Sequence, residues 1–450
     1  MMGHQAPGHN YKTHHLCLEQ FIPQQHLLRQ IDRLLDFTDI QAQLESCYSH
    51  TGRPSIDPEL MLRMMLVGYC YGIRSERKLC EEVHFNLAYR WFCKLGLETK
   101  IPNHSTFSKA RLGRFREHDI IRLLFDSVVK SCIKMGMVKG DSFAVDASFV
   151  RADVSRQRAE NSPIDWTASQ KESRMVKEYL NALDENSSLK RKQKTVSLTD
   201  PMAQWSGAKG RAEFYYSTNY MIDIKQGIIM DVEASPSTNA LEVGTTKTMI
   251  DRVENNHGIV PKRLLGDTAY GAAENLDYLV EQKQIEPHVP VFERPDLSGD
   301  SYSRTEFIYI ENDDEYVCPN NHRLPTTGHV TKAKTLLYRS RTLDCADCPD
   351  KNKCCPVTPV KKITRSIYEK SRIVARAINQ SEEYKNISFH QRKKVEMSFA
   401  HMKRNLNFTR LRLRGIKNAN DEFVLVATAQ NLRKMARRWN LPPPVVYESG

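Results

Sequence analysis

The chain has 450 residues, 40% apolar and 27% charged, with Lys and Arg exceeding Asp and Glu by twelve. At roughly 150 residues per domain this length suggests two or three domains with ample core, and the composition excludes wholesale disorder and collagen-like architecture. No apolar run reaches the roughly 18 residues of a membrane span, the Met-Met-Gly-His-Gln start has none of the regions of a secretory signal, and the basic excess favours a polyanionic partner.

Residues 1–135 read as a helical N-terminal domain. Pro58 to Tyr71 is a Leu/Met-rich run, with Asp57 placed as N-cap and Pro58 as first helical residue. Ser75 opens a second helix, and Asn86 to Cys93 forms a third that ends near Gly96. Pro102 to Thr106 then leads into Phe107-Ser108-Lys109-Ala110-Arg111-Leu112, followed by Arg114 and Arg116. Short capped helices with a basic face suit a helix-turn-helix-like DNA reader, in which Arg111 and Arg114 would reach base edges. A small helical packing domain has the same pattern.

The next stretch, 136–290, reads as a mixed α/β sheet. Asp141 to Val150 alternates like a strand, and Phe214 to Ile224 and Gly227 to Ala234 are two more, joined at Lys225-Gln226-Gly227. Between them, 151–210 is a polar insertion, a helix flanked by flexible connections that include Ser162-Pro163 and Leu189 to Lys194. Ala240 to Asn255 is helical, Lys262 to Asp267 a strand, Ala272 to Gln282 helical and His288 to Val291 extended. Residues 291–379 are polar, turn-rich and cysteine-bearing, and read as an insertion with little apolar surface to bury. A strong helix from Asn386 to Asn407 and a last one from Asn418 to Trp439 fill 380–440, and 441–450 is a tail.

Residues 385–440 hold fourteen Lys and Arg against three acids, so one segment accounts for nearly all of the net charge. A stripe of that density matches binding to a phosphate backbone, and Lys393 and Arg404 fall on its exposed side. A merely solvated helix surface is the plainer alternative.

Three acids sit where acids are costly or useful. Asp146 lies inside an apolar strand, on one face with Ala144 and Ser148, where a carboxylate must be paired, hydrogen-bonded or metal-bound. Asp267 ends another strand before Thr268-Ala269-Tyr270-Gly271, and ligands usually bind at such strand ends. Either Asp alone is as well explained as a cap or turn residue. Helical spacing puts Phe389, Arg392, Glu396 and Lys403 on a stripe about 60° wide, beside an apolar face of Val395, Phe399, Met402 and Leu406. Glu396 there is either an i, i+4 partner of Arg392 or a metal-binding carboxylate among cations.

The run Arg392-x3-Glu396-x6-Lys403 resembles the Tyr-x2-Arg-x3-Glu-x6-Lys signature of bacterial insertion-sequence DDE transposases, with Phe389 in place of the Tyr. Ala144 to Ser148 is similar to the family's first Asp strand and Leu265 to Gly271 to its second, and Gly52-Arg53-Pro54 to Lys109 is similar to its N-terminal helical domain. The resemblance implies an RNase H-like catalytic core, two divalent metals, and cleavage and strand transfer of double-stranded DNA at terminal inverted repeats and a target. Asp146, Asp267 and Glu396 would be the catalytic metal ligands. Hard oxygen donors there select Mg²⁺, or Mn²⁺, over Zn²⁺. Arg392 and Lys403 would hold DNA, and Phe389 would stack on a base. The expected setting is a bacterial cytoplasm at the nucleoid, without a membrane, the protein acting as a homodimer in its synaptic complex. A transposase-derived DNA-binding regulator and a metal-dependent nuclease without strand transfer are the alternatives; retention of all three acids favours the transposase.

Eleven cysteines without an export signal read as reduced thiols. Five fall in the insertion, and Cys345-x2-Cys348 has the spacing that lets two thiolates grip one tetrahedral ion. Cys318 and Cys354 would complete a structural Zn²⁺ site, with His322 or Cys355 as substitutes, and free thiols are the alternative.

Overall fold

A computed structural model describes residues 16–45, 56–185, 194–207, 212–236, 239–293 and 301–439. Gly52-Arg53-Pro54, Leu189 to Gln193 and the 441–450 tail lie outside the described residues.

The N-terminal part is helical, as its periodicity requires. Its central helix, Pro58–Tyr71, starts as expected: the Asp57 side chain accepts from the Glu59 N–H at 2.8 Å, with Pro58 in the first turn. It stops at Gly72, whose φ of 70° suits a residue without a Cβ. Met61, Leu62, Met64, Met65, Leu66 and Val67 are buried along it. Arg63, on the same helix, is also buried, and donates to Glu59 Oε1 at 2.7 Å, Asp32 Oδ1 at 2.5 Å and Phe92 O at 2.9 Å. Its charge is tolerated because those oxygens surround it. The helices Glu76–Phe85 and Leu87–Phe92 are capped by Ser75 and Asn86, and Ser105–Leu112 follows Pro102.

The central sheet is built from β1 (Ser142–Arg151), β4 (Gln204–Ser206), β5 (Glu213–Asp223), β6 (Ile228–Pro236), β7 (Arg263–Leu265) and β8 (Glu286–His288). β1 lies at its centre, antiparallel to β5 and parallel to β7, which in turn pairs parallel with β8; β4 and β6 share the outer edge of β5. Phe143, Ala144, Val145 and Val150 of β1 are buried, as are Tyr216, Tyr220 and Ile222 of β5. The helix Lys393–Asn405 lies against β1 and β5, and the helices Asn239–His257 and Ile416–Trp439 lie against β6. Ile416–Trp439 also packs on Pro58–Tyr71 and Ile120–Lys134, so it joins the N-terminal helices to the sheet. Across that junction Arg74 forms an ion pair with Glu422, both buried.

Three expectations change. The polar stretch 151–210 contains two helices, Ala168–Glu172 and Arg174–Glu185, and a small antiparallel pair, β2 (Ala159–Asn161) with β3 (Thr195–Ser197), besides the edge strand β4. The 291–379 stretch is not short of core. β9 (Ile308–Ile310), β10 (Glu315–Val317), β11 (Arg323–Val330), β12 (Thr335–Arg339) and β13 (Lys362–Ser366) form an antiparallel meander around Phe307, Tyr316, Leu324, Tyr338 and Ile363. Its strands are short and its apolar surface includes several tyrosines, whose hydroxyls find partners (Tyr338 and Tyr309 both donate to Asp314), so the run looks polar in sequence. Lastly, the expected helix Asn386 to Asn407 is broken into a π turn at Tyr384–Ser388, a short piece Phe389–Gln391 and the helix Lys393–Asn405.

Candidate active site

Asp146 projects from the middle of β1, paired with Tyr220 of β5, on the face covered by Lys393–Asn405. The Tyr220 ring packs 4.8 Å from Phe399 of that helix. Asp146 Oδ1 accepts from the Ala147 N–H at 2.8 Å. Burial pushes its carboxyl up to about 6; the Ala147 N–H opposes this, the carboxylates of Asp267 and Glu396 add to it, and Arg392 opposes it. The structure therefore brings Asp267 and Glu396 within electrostatic reach of Asp146.

Sheet register explains how Asp267 arrives there. β1 and β7 run parallel with Ala144 beside Leu265, the last pair of their ladder, and Asp146 and Asp267 each lie two residues beyond it. Neighbouring strands are about 4.8 Å apart. Asp267 leaves the strand in an extended conformation and caps the turn Thr268–Gly271, its Oδ1 accepting from the Ala269 N–H at 2.9 Å. So its cap role and its place at the cluster coexist. Gly271 is where a side chain cannot go: a Cβ would meet Pro290 O at 1.9 Å.

Glu396 is exposed at the edge of its helix, while Val395, Phe399, Met402 and Leu406 are buried, as the spacing predicts. Among the described contacts Arg392 makes no ion pair with Glu396. Its Nη1 instead donates to Gly266 O at 3.4 Å, and its guanidinium lies 5.5 Å from the half-exposed Phe389 ring. Lys403 Nζ donates to Ser148 Oγ at 2.7 Å. The carbonyl of Gly266 and the hydroxyl of Ser148 were not singled out from sequence for these contacts; the signal available was Ser148's position two residues beyond Asp146 on one strand face.

The basic residues divide into two groups. Lys393 and Arg404 are exposed, as expected. Others have partners within the chain: Arg433 donates to Cys70 O at 2.9 Å and Lys434 to Gly227 O, while the exposed Lys394 donates to Ile224 O at 2.8 Å and the exposed Arg410 and Arg414 pair with Asp153. Arg111, expected to reach base edges, is buried and ion-paired to Glu76. It is a packing residue of the helical domain. The Arg114 side chain lies outside the described residues.

Cys318, Cys345, Cys348, Cys354 and Cys355, with His322, line one enclosed cavity of about 20 Å³ beside the five-stranded meander. The His322 N–H donates to Cys318 Sγ at 3.3 Å and Asn320 Nδ2 to Cys348 Sγ at 3.3 Å. Burial pushes the Cys354 thiol up to about 12, opposed by Lys361 and aided by Cys355 and Cys345. Among the described residues, no three His, Cys, Asp or Glu side chains stand close enough to hold a metal ion as they lie, here or at the acids. Cys17, Cys70, Cys80, Cys93 and Cys132 are free thiols of the helical part, and Cys47 lies outside the described residues.

Two family models match the chain. Residues 16–112 match a transposase domain (DUF772), and residues 317–436 match a transposase DDE domain. The chain is thus similar to transposase domains in both its N-terminal and its C-terminal part. The second match takes in Glu396 and the cysteine cluster, whereas Asp146 and Asp267 fall between the two. No curated protein matches the chain. Among solved structures, a piggyBac transposase synaptic complex with hairpin DNA, determined by cryo-EM, is similar at 9% identity and a TM-score of 0.31, over 93% of this chain and 81% of that one. No helix among the described residues is long and apolar enough to cross a membrane.

Proposed function

We propose that the chain is an active DNA transposase, cleaving phosphodiester bonds at the ends of an insertion sequence and joining them to target DNA, with Asp146, Asp267 and Glu396 as its catalytic carboxylates. The observation that carries this reading is geometric: Asp146 sits on the central strand, under the helix that bears Glu396 and beside the strand that leads to Asp267. Two carboxylates from neighbouring strands and a third from the helix that covers them would call for a cation, and their oxygens are the donors that Mg²⁺ or Mn²⁺ prefers. A mixed sheet with one acid on the central strand and another at the end of its parallel neighbour supports an RNase H-like core.

Asp146, Asp267 and Glu396 would hold two divalent ions. Such ions, when bound, polarise the scissile phosphate and lower the pKa of the attacking water or 3′-hydroxyl. The rest is done by the chain. Arg392 and Lys403, fixed by Gly266 and Ser148, present cations at the rim of the cluster, where phosphates would pass. Phe389, half-exposed beside Arg392, offers a ring on which a base can stack. Lys393 and Arg404 extend the same cationic edge along double-stranded DNA. The protein would act as a homodimer in the cytoplasm at the nucleoid.

The cysteines that line this cavity, Cys318, Cys345, Cys348 and Cys354, would hold one tetrahedral Zn²⁺ if their side chains turned toward one another. The N–H groups aimed at two of the sulfurs are what thiolates accept, and the cavity has room for little more than one atom. The ion would staple the ends of the meander.

The decisive experiment incubates the purified protein with DNA bearing its own flanking ends and Mg²⁺. Nicking at the ends and joining to a second duplex are expected. Tight binding of those ends without any cleavage would make it a DNA-binding regulator instead, and cleavage without joining a nuclease.

A further inference from the structure

The helix that carries Arg392 and Glu396 does not run straight into the site. It passes through the π turn Tyr384–Ser388, and such turns shift the angular phase of everything after them. Something must fix that phase. Ser388, the last residue of the turn, is buried, and its Oγ lies 2.7 Å from His288 Nδ1. His288 ends β8 and is itself buried, with its Nε2 3.6 Å from Glu286 Oε2. The carboxylate at Nε2 favours the tautomer with the proton on that nitrogen, which leaves Nδ1 to accept from the Ser388 hydroxyl. Burial and then Arg263 lower the His288 pKa by more than Glu286 raises it, so the neutral ring this geometry needs is also the favoured one.

Both partners lead directly to the carboxylates. β7 and β8 pair in parallel with Leu265 beside His288, so His288 flanks the strand two residues before Asp267. On the other side the Ser388 carbonyl accepts from the Arg392 N–H at 3.1 Å, and Glu396 follows one turn later. A second tie runs alongside, an ion pair from Arg263 of β7 to Glu383 just ahead of the π turn.

We infer that His288 and Ser388 are positioning residues of the carboxylate cluster: their hydrogen bond sets the phase of the helix bearing Glu396 against the strand end bearing Asp267. Neither touches the substrate. The inference rests on the three-carboxylate reading and deepens it. Outer-shell partners of metal ligands typically affect affinity or activity by about 10–100-fold when removed. Ser388→Ala and His288→Leu are therefore expected to weaken Mn²⁺ binding, measured by calorimetry, by about tenfold or more. The metal concentration for half-maximal cleavage should rise in parallel, with affinity for end DNA unchanged. His288→Asn puts a side-chain amide near the position of Nδ1, and is expected to recover most of the loss; it also guards against a leucine variant that fails to fold. Glu396→Gln is the control. If Glu396→Gln cleaves like the parent, the carboxylate reading itself is wrong. If Glu396→Gln is inactive while Ser388→Ala and His288→Leu bind Mn²⁺ and cleave like the parent, the carboxylates stand and the positioning role is overturned. Equal losses in His288→Leu and His288→Asn would also overturn it, because a hydrogen bond would not then be what matters.

Discussion

Lys403 Nζ and Ser148 Oγ are 2.7 Å apart, although 255 residues separate them in sequence. Ser148 shares a strand face with Asp146, and Lys403 shares a helix with Glu396, so this one hydrogen bond ties together two of the three elements that carry the proposed catalytic acids. Hydrogen bonds to a charged group contribute roughly 1.5–3 kcal/mol. Ser148→Ala is expected to lower the rate of end cleavage by about tenfold while leaving the melting temperature within a few degrees of the parent. An unchanged rate would mean that Lys403 holds its place without the serine.

Asp146→Asn, Asp267→Asn and Glu396→Gln each remove one charge at nearly constant shape. Each is expected to abolish cleavage in Mg²⁺ and to leave affinity for end DNA largely intact, as read by gel shift beside a cleavage assay. Normal cleavage by any one of them would remove that residue from the site.

The cations divide by what they touch. Lys393→Ala and Arg404→Ala should weaken binding to any DNA, each reducing the salt slope by about one unit. Arg111→Ala should act through folding instead, because Arg111 is buried against Glu76. Loss of sequence preference with unchanged thermal stability in Arg111→Ala would restore it as a base reader.

Legibility followed how local the deciding interaction was. The Asp57–Pro58 start of the Pro58–Tyr71 helix, the central strand and the buried Val395–Phe399–Met402 face could all be read, because each is set by neighbours within a turn or a pleat. Arg111 could not: an arginine on a short basic helix looks the same whether it faces DNA or a glutamate 35 residues earlier. The π turn at Tyr384–Ser388 leaves the hydrophobic spacing after it intact, so the helix break was invisible. The meander β9–β13 was missed because its small core is spread over short strands and draws partly on tyrosines, which count as polar or apolar according to surroundings the sequence does not display.

Elemental analysis should return about one zinc per chain. Cys345→Ser combined with Cys348→Ser should release it and open 301–366 to protease while the rest stays folded. Zinc-free protein, or a double variant as resistant as the parent, would leave these cysteines as thiols.

Lys434 gives a pH signature. Burial, only partly offset by Cys132, lowers its ammonium from the ordinary 10.5 to about 8. Between those values the unfolded chain holds the proton and the native one does not, so native stability rises with pH across that window and is lost as pH falls through about 8. The full effect is roughly 3 kcal/mol. Urea unfolding of the parent should show this gain between pH 8 and 10, and Lys434→Met should not. A parallel pH dependence in the two proteins would put Lys434 in contact with water.

The ion pair between Arg74 and Glu422 joins residues 348 positions apart. A ribosome adding about 5–20 residues per second needs on the order of twenty to seventy seconds to cover that distance. Throughout that interval the N-terminal helices have been made, and the long C-terminal helix against which they pack has not. Their Met- and Leu-rich faces must wait, shielded by chaperones or by each other. The junction between those helices and the sheet therefore closes only once the chain has been translated past Glu422.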